Sequence, residues 1–112
     1  MNPWDEIDTA ADKLDKMAAA ADDDLNTNPY WGSRCPTRFA DGINNACGGA
    51  AGELAAMFNP DLARLFARRL RAVGEAWPRH VAVTTTASAA AGRAEVLAMA
   101  RNINGTTKAT TS

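Results

Sequence analysis

The sequence predicts an all-α protein: a small helical domain of about four helices with a long loop between the first and the second. Three observations predict it. Apolar side chains recur at intervals of three and four in several separate stretches, the spacing of one face of an α-helix. Asparagine followed by proline, with an acidic residue in the turn that follows, occurs at Asn2-Pro3 and again at Asn59-Pro60-Asp61, and each reads as a helix start. The one β-favouring run, Arg79 to Thr85 with Val81, Val83, Thr84 and Thr85, has no partner strand elsewhere and is expected to be an extended connector.

The first helix begins with Asn2 as N-cap and Pro3 at the first helical position. Asp5, Glu6 and Asp8 then sit near the positive end of its dipole. Trp4, Ile7, Ala11, Leu14, Ala18, Ala21 and Leu25 form a narrow apolar stripe that admits two readings, a coiled-coil seam or a face laid on its own domain. Trp4, Ile7, Leu14 and Ala18 are the candidate interface residues. Asp22, Asp23 and Asp24 would oppose the negative end of the dipole, so this helix is expected to stop near Ala21.

Asn26 to Pro36, with two prolines, a glycine and two asparagines, reads as loop, and Tyr30 and Trp31 are expected to pin it to the core. Phe39, Ile43, Cys47, Ala51, Leu54 and Phe58 keep a helical spacing, but Gly42, Gly48, Gly49 and Gly52 interrupt it at about 1 kcal/mol each. The expectation is a loop or frayed turn to about Gly49, then a helix from about Ala50 to Phe58. The next helix starts at Pro60 and carries a broad apolar face of Leu62, Leu65, Phe66, Leu70 and Val73, with Gly74 as its stop. A last helix is expected from about Ser88 to Asn102, with Gly105 after it. The whole makes one domain, residues 1–105, followed by a disordered threonine-rich tail, 106–112.

Charge is divided unevenly. The net charge is -1, yet residues 1–24 carry eight carboxylates against two lysines, a net of -6, which leaves +5 for the rest. An acidic front and a basic back invite docking of one on the other, within a chain or between chains. Hydrophobic residues are 46% of the chain, but alanine supplies much of that figure, so the core-forming set is thin. A thin core favours assembly, since a partner can cover what the monomer leaves exposed. With neither a leader-like start nor a run of about 18 apolar residues, the chain is expected to be cytoplasmic, with Cys35 and Cys47 as free thiols.

The inventory for chemistry is short. Cys35, Cys47 and His80 lack the spacing of a zinc site, and a thiol enzyme would need His80, the only histidine, as its base. Gly48-Gly49-Ala50-Ala51-Gly52 lacks the Gly-Lys-Ser/Thr ending of a phosphate loop. Asp8, Asp12 and Asp15 lie on a polar face that water solvates. No catalytic residue, metal or cofactor is therefore expected. Arg64, Arg68 and Arg71 form a stripe at i, i+4, i+7, joined by Arg69, and this is the candidate basic patch. Such a stripe suits either phosphates or the acidic residues of its own chain or a partner. A chain of pI near 5.7 makes nucleic acid the lesser alternative.

The order of these elements resembles a family of short helical proteins of unknown function from actinobacteria and their phages. Ala10 to Ala20 looks like the family's alanine-rich opening helix, and Pro29-Tyr30-Trp31 like the element that follows it. Glu53 to Asp61, followed by Leu62 to Leu70, looks like the central helix, Asx-Pro, helix unit; Glu95 to Arg101 looks like the closing helix. Asp41 to Gly52 departs from the pattern. The resemblance implies a phage or mobile-element accessory protein of a bacterial cytoplasm and carries no catalytic residue with it. The combined expectation is a non-enzymatic, homo-oligomeric helical protein that binds a host or phage protein.

Overall fold

Asn2 and Asn59 do what their places before proline dictate. In a computed structural model, which describes residues 2–32, 37–78 and 87–105, Asn2 Oδ1 accepts the Asp5 N–H at 3.1 Å and Asn59 Oδ1 accepts the Leu62 N–H at 2.9 Å. The described residues form five α-helices and no strand: α1 (Pro3–Thr27), α2 (Arg38–Cys47), α3 (Gly49–Met57), α4 (Pro60–Ala76) and α5 (Ala87–Asn104). A 3-10 turn, Pro29–Trp31, follows α1. The all-α class holds, with five helices where about four were expected. None of the described helices is long and apolar enough to cross a membrane.

Two expectations need correction. First, α1 runs through the aspartates to Thr27. The dipole penalty for exposed carboxylates is only about 0.3–1 kcal/mol each, and here each end of the run has a partner. Asp22 is ion-paired with Arg64, Asp24 accepts the Trp31 indole N–H at 2.6 Å, and Leu25 is buried. Second, the long loop does not extend to Gly49, because residues 38–47 are the helix α2. The glycine cost within it is offset by what the bare backbone of Gly42 admits, described below. The expected tail, 106–112, and the connector, 79–85, fall largely or wholly outside the described residues, as do Cys35 and His80.

The chain divides into two compact units, Met1–Leu14 with Leu65–Ser112, and Asp15–Arg64, with α1 and α4 contributing to both. In the first unit the buried apolar residues are Ile7, Ala10, Ala11, Leu14, Ala67, Leu70 and Ala100. Alanine at most of these positions lets helix backbones approach closely. Gly74 of α4 takes this furthest: a Cβ there would stand 3.3 Å from Ile7 Cγ2 of α1.

In the second unit, Pro29–Trp31 and the two middle helices make the packing. Asn28 Oδ1 caps the turn through the Tyr30 N–H at 3.0 Å. Tyr30 Oη donates to the Gly42 carbonyl at 2.5 Å, and the Trp31 ring lies against Gly42 where a side chain would otherwise be. Trp31 also stacks on Phe39, their centroids 5.9 Å apart and planes within 9°. Trp31 and the Tyr30 hydroxyl thus hold this segment to α2, but Tyr30 is 53% exposed, so the expected pinning of both rings to the core is met only in part. Gly48 and Gly49, with φ of 68° and 63°, turn the chain from α2 into α3, a conformation that side-chain-bearing residues rarely adopt. Gly52 then lets α3 close on Cys47 of α2, whose Cβ would be 3.3 Å from a Cβ at that glycine.

Candidate protein-interaction surfaces

The side chains proposed from sequence as an interface are covered by the chain itself. Ile7, Leu14 and Ala18 are buried and Trp4 is half-buried, so the seam of α1 is occupied by intramolecular packing. The arginine stripe splits in two. Arg64 is paired with Asp22 and lies 3.5 Å from Asp61, while Arg71 reaches Asp12 at 2.8 Å. Arg68 and Arg69 are exposed. Two members of the candidate basic patch are therefore turned to carboxylates.

The same division of charge recurs on α5, where the Arg101 guanidinium forks onto Glu6, with Nε 3.0 Å from Oε1 and Nη2 3.1 Å from Oε2. Asn104 Nδ2 donates to the Glu6 carbonyl at 3.0 Å beside it. The Arg101 hydrogen bonds hold the Glu6 carboxyl below the usual glutamate range, against a smaller opposing effect of burial. Because the folded pKa is depressed, the stability this pair contributes is complete above the unfolded pKa and is lost as pH falls through the folded one. Glu6→Gln is therefore expected to melt below the wild type at neutral pH. The gap should narrow as pH falls through the depressed folded-state pKa of Glu6, where the wild-type carboxyl becomes protonated in the folded state too. A gap that persists unchanged in acid would show that the pair's charge is not what stabilises α5 on α1.

Several exposed large apolar residues lie on stretches whose helical spacing the sequence shows. On α3 the buried positions are Gly52 and Ala56, one turn apart, while Leu54 and Met57 are 72% and 69% exposed. Phe58 and Leu62 are also exposed, on either side of the α3–α4 turn. Within the second unit, residues 54–62 therefore expose four large apolar side chains. On α4 the buried positions Ala63, Ala67 and Leu70 likewise form a face turned away from Leu65, which is exposed. The signal that could have found this is the apolar arc of α4, which is wider than one neighbour can cover once alanines are counted in it.

The first unit carries a groove of about 350 Å³ between α4 and α5. Ala72, Val73, Ala76 and Val96 are among its lining residues, with Arg69 on one side and Arg93 on the other. Gly92 lies in the same lining and has open space where its side chain would be. Arg93 is held over the Trp77 ring, 5.9 Å from its centroid.

Among the described residues no three His, Cys, Asp or Glu side chains are placed to hold a metal ion, and Cys47 is an exposed thiol. The Gly48–Gly52 segment serves as the turn between two helices and the start of the second. Comparison with protein-family models, with curated proteins and with solved structures finds no match for the chain.

Proposed function

We propose that this chain is a non-enzymatic helical interaction protein that self-associates and binds a further protein. We place it as a phage or mobile-element accessory factor in a bacterial cytoplasm, a placement supported by its sequence resemblance. The observation that carries the interaction reading is the inversion on α3. Small residues are buried there, while Leu54 and Met57, with Phe58 and Leu62 beside them, face water. Each large apolar side chain left exposed forgoes about 1.5–3 kcal/mol available from burial, and a second copy of the chain can supply that burial. The ion pairing of Arg64 and Arg71 favours this reading over phosphate tracking, which needs the whole stripe.

The test is light scattering on the full chain at roughly tens of micromolar, a range in which modest interfaces are populated. The wild type is expected to run as a dimer or larger species, and Leu54→Glu/Met57→Glu as a monomer of unchanged helix content. A monomeric wild type at that concentration removes the self-association part.

A further inference from the structure

We propose that Asn104 is a site of spontaneous covalent modification, deamidation through a cyclic imide, and that docking of the last turn of α5 on α1 holds this reaction in check. The inference is independent of the self-association reading, because it concerns packing inside the first unit. Asn104 is the one asparagine of the chain followed by glycine. That pairing matters because glycine, lacking a Cβ, leaves its own backbone nitrogen unhindered and able to take the conformation that ring closure needs. Water is the only co-reactant.

The Gly105 amide nitrogen, once it has given up its proton to solvent, attacks Asn104 Cγ. A C–N bond forms, the Cγ–Nδ2 bond breaks, and Nδ2 leaves as ammonia with a proton taken from water. Water then opens the imide. Opening at Cγ leaves an aspartyl residue, and opening at the backbone carbonyl leaves the isoaspartyl isomer, in which the chain runs through Cγ. One water enters, one ammonia leaves, and nothing is oxidised or reduced.

Both reacting groups are engaged in the folded chain. The Gly105 N–H donates to the Asn102 carbonyl at 3.1 Å, which opposes loss of its proton. Asn104 Nδ2 donates to the Glu6 carbonyl at 3.0 Å, which holds the side-chain amide against α1. One turn earlier on α5, the Arg101 guanidinium grips both oxygens of the Glu6 carboxylate. Ring closure therefore waits for the last turn to leave α1. Asn104 Oδ1 is buried without a hydrogen-bond partner among the described residues, so it gains water when the turn opens. Gly105 is exposed, with nothing among the described residues within 4 Å of where its Cβ would stand. A helix end so sparsely packed opens at a smaller cost than global unfolding.

The product binds α1 less well than the asparagine does. A carboxylate only accepts hydrogen bonds, and at residue 104 it meets the Glu6 carbonyl, another acceptor. It also places a negative charge at the negative end of the α5 dipole. The isomer lengthens the backbone by one carbon. Each change disfavours redocking, so deamidation releases the end of α5 in one direction only.

The experiment incubates the full chain at neutral pH, in buffer and, as the unfolded reference, in concentrated guanidinium chloride. Peptide-mapping mass spectrometry follows conversion of Asn104 to its aspartyl and isoaspartyl forms. The unfolded chain is expected to convert at least about tenfold faster than the folded wild type, a factor equivalent to about 1.4 kcal/mol. Arg101→Ala, with helix content unchanged, is expected to convert several-fold faster than the wild type in buffer and at the same rate in guanidinium chloride. If Arg101→Ala loses helix content, Glu6→Gln takes its place. Asn104→Asp is expected to speed hydrogen exchange in the last turn of α5 while leaving α2 and α3 unaffected. No conversion in either state, equal rates for folded and unfolded wild type, or equal folded rates for the wild type and the variant overturns the proposal. Faster conversion at any other asparagine of the unfolded chain also overturns it.

Discussion

Gly42→Ala is expected to destabilise the protein by about 1–3 kcal/mol, although alanine is the better helix former at an interior helical position. On helix propensity alone the substitution should gain about 1 kcal/mol. The sign reverses because a Cβ at residue 42 would overlap the six-membered part of the Trp31 ring. That ring cannot yield cheaply. It is held by its hydrogen bond to Asp24, by the stack on Phe39 and by an edge contact with Tyr30 at 5.0 Å between centroids. Moving it loosens the contacts that tie α2 to the end of α1. Thermal or urea denaturation should show the loss, with an altered tryptophan emission in the native state. The decisive arm is Trp31→Ala/Gly42→Ala. Once the ring is gone, the closest remaining atom is Tyr30 Cε2 at 3.2 Å, on a half-exposed ring that can shift by a few tenths of an ångström, and the alanine should cost clearly less than in the wild type or become stabilising by up to about 1 kcal/mol relative to Trp31→Ala alone. A Gly42→Ala effect of the same sign and size in both backgrounds would mean that the ring is not what the glycine accommodates.

This glycine shows why the sequence was only partly readable. Where a local signal has one physical meaning it was legible: both Asn-Pro starts are capped as expected, and the helical periodicity of α1, α4 and α5 survives. Where local cost and tertiary gain oppose each other it was not. The glycines of residues 42–52 count against a helix by propensity, yet Gly42 and Gly52 are the positions where an indole and a neighbouring helix come close. The aspartates at 22–24 count against a helix end, yet Arg64 and Trp31 answer two of them from distant positions in sequence. Long-range partners of that kind have no local trace.

The candidate surfaces were misplaced for a related reason. Sequence reading weighs large apolar side chains as core-forming and alanine as filler, so the spacing of Ile7, Leu14 and Ala18 on α1 suits a seam open to a partner as well as a face laid on its own domain, and the spacing of Leu54 and Leu62 does not show which of them stays outside. In a chain this rich in alanine, small residues can make the packed face because they let backbones approach, and large ones are displaced outward. Ala56 and Ala63 are buried while Leu54 and Leu62 are exposed. The arginine stripe was legible as a stripe. Which of its members carboxylates would engage, Arg64 and Arg71, and which would stay outward, Arg68 and Arg69, depends on packing that spacing does not encode.

A core made mainly of alanine concentrates stability in its few large members, and the larger of the remaining expected effects follows from that. Ile7 and Leu70 are the largest fully buried side chains, at 0% and 1% exposure, and both belong to the first unit. Leu70→Ala removes buried methyl groups and leaves a cavity, a change that costs about 2–5 kcal/mol in well-packed cores. The other buried residues of the first unit are mostly alanines, Ala10, Ala11, Ala67 and Ala100, whose short side chains have little freedom to fill a vacated space, which places the expected value in the upper half of that range. Against a total stability of about 5–15 kcal/mol, that is a large share of what holds the fold. Leu65→Ala is the matched control on the same helix. Leu65 is 53% exposed, and its truncation should change monomer stability by no more than about 0.5 kcal/mol. Chemical denaturation at low protein concentration, where association does not contribute, separates the two. Equal losses from Leu70→Ala and Leu65→Ala would mean that α4 buries a different face, and the assignment of outward residues on which the interaction surfaces depend would fail with it.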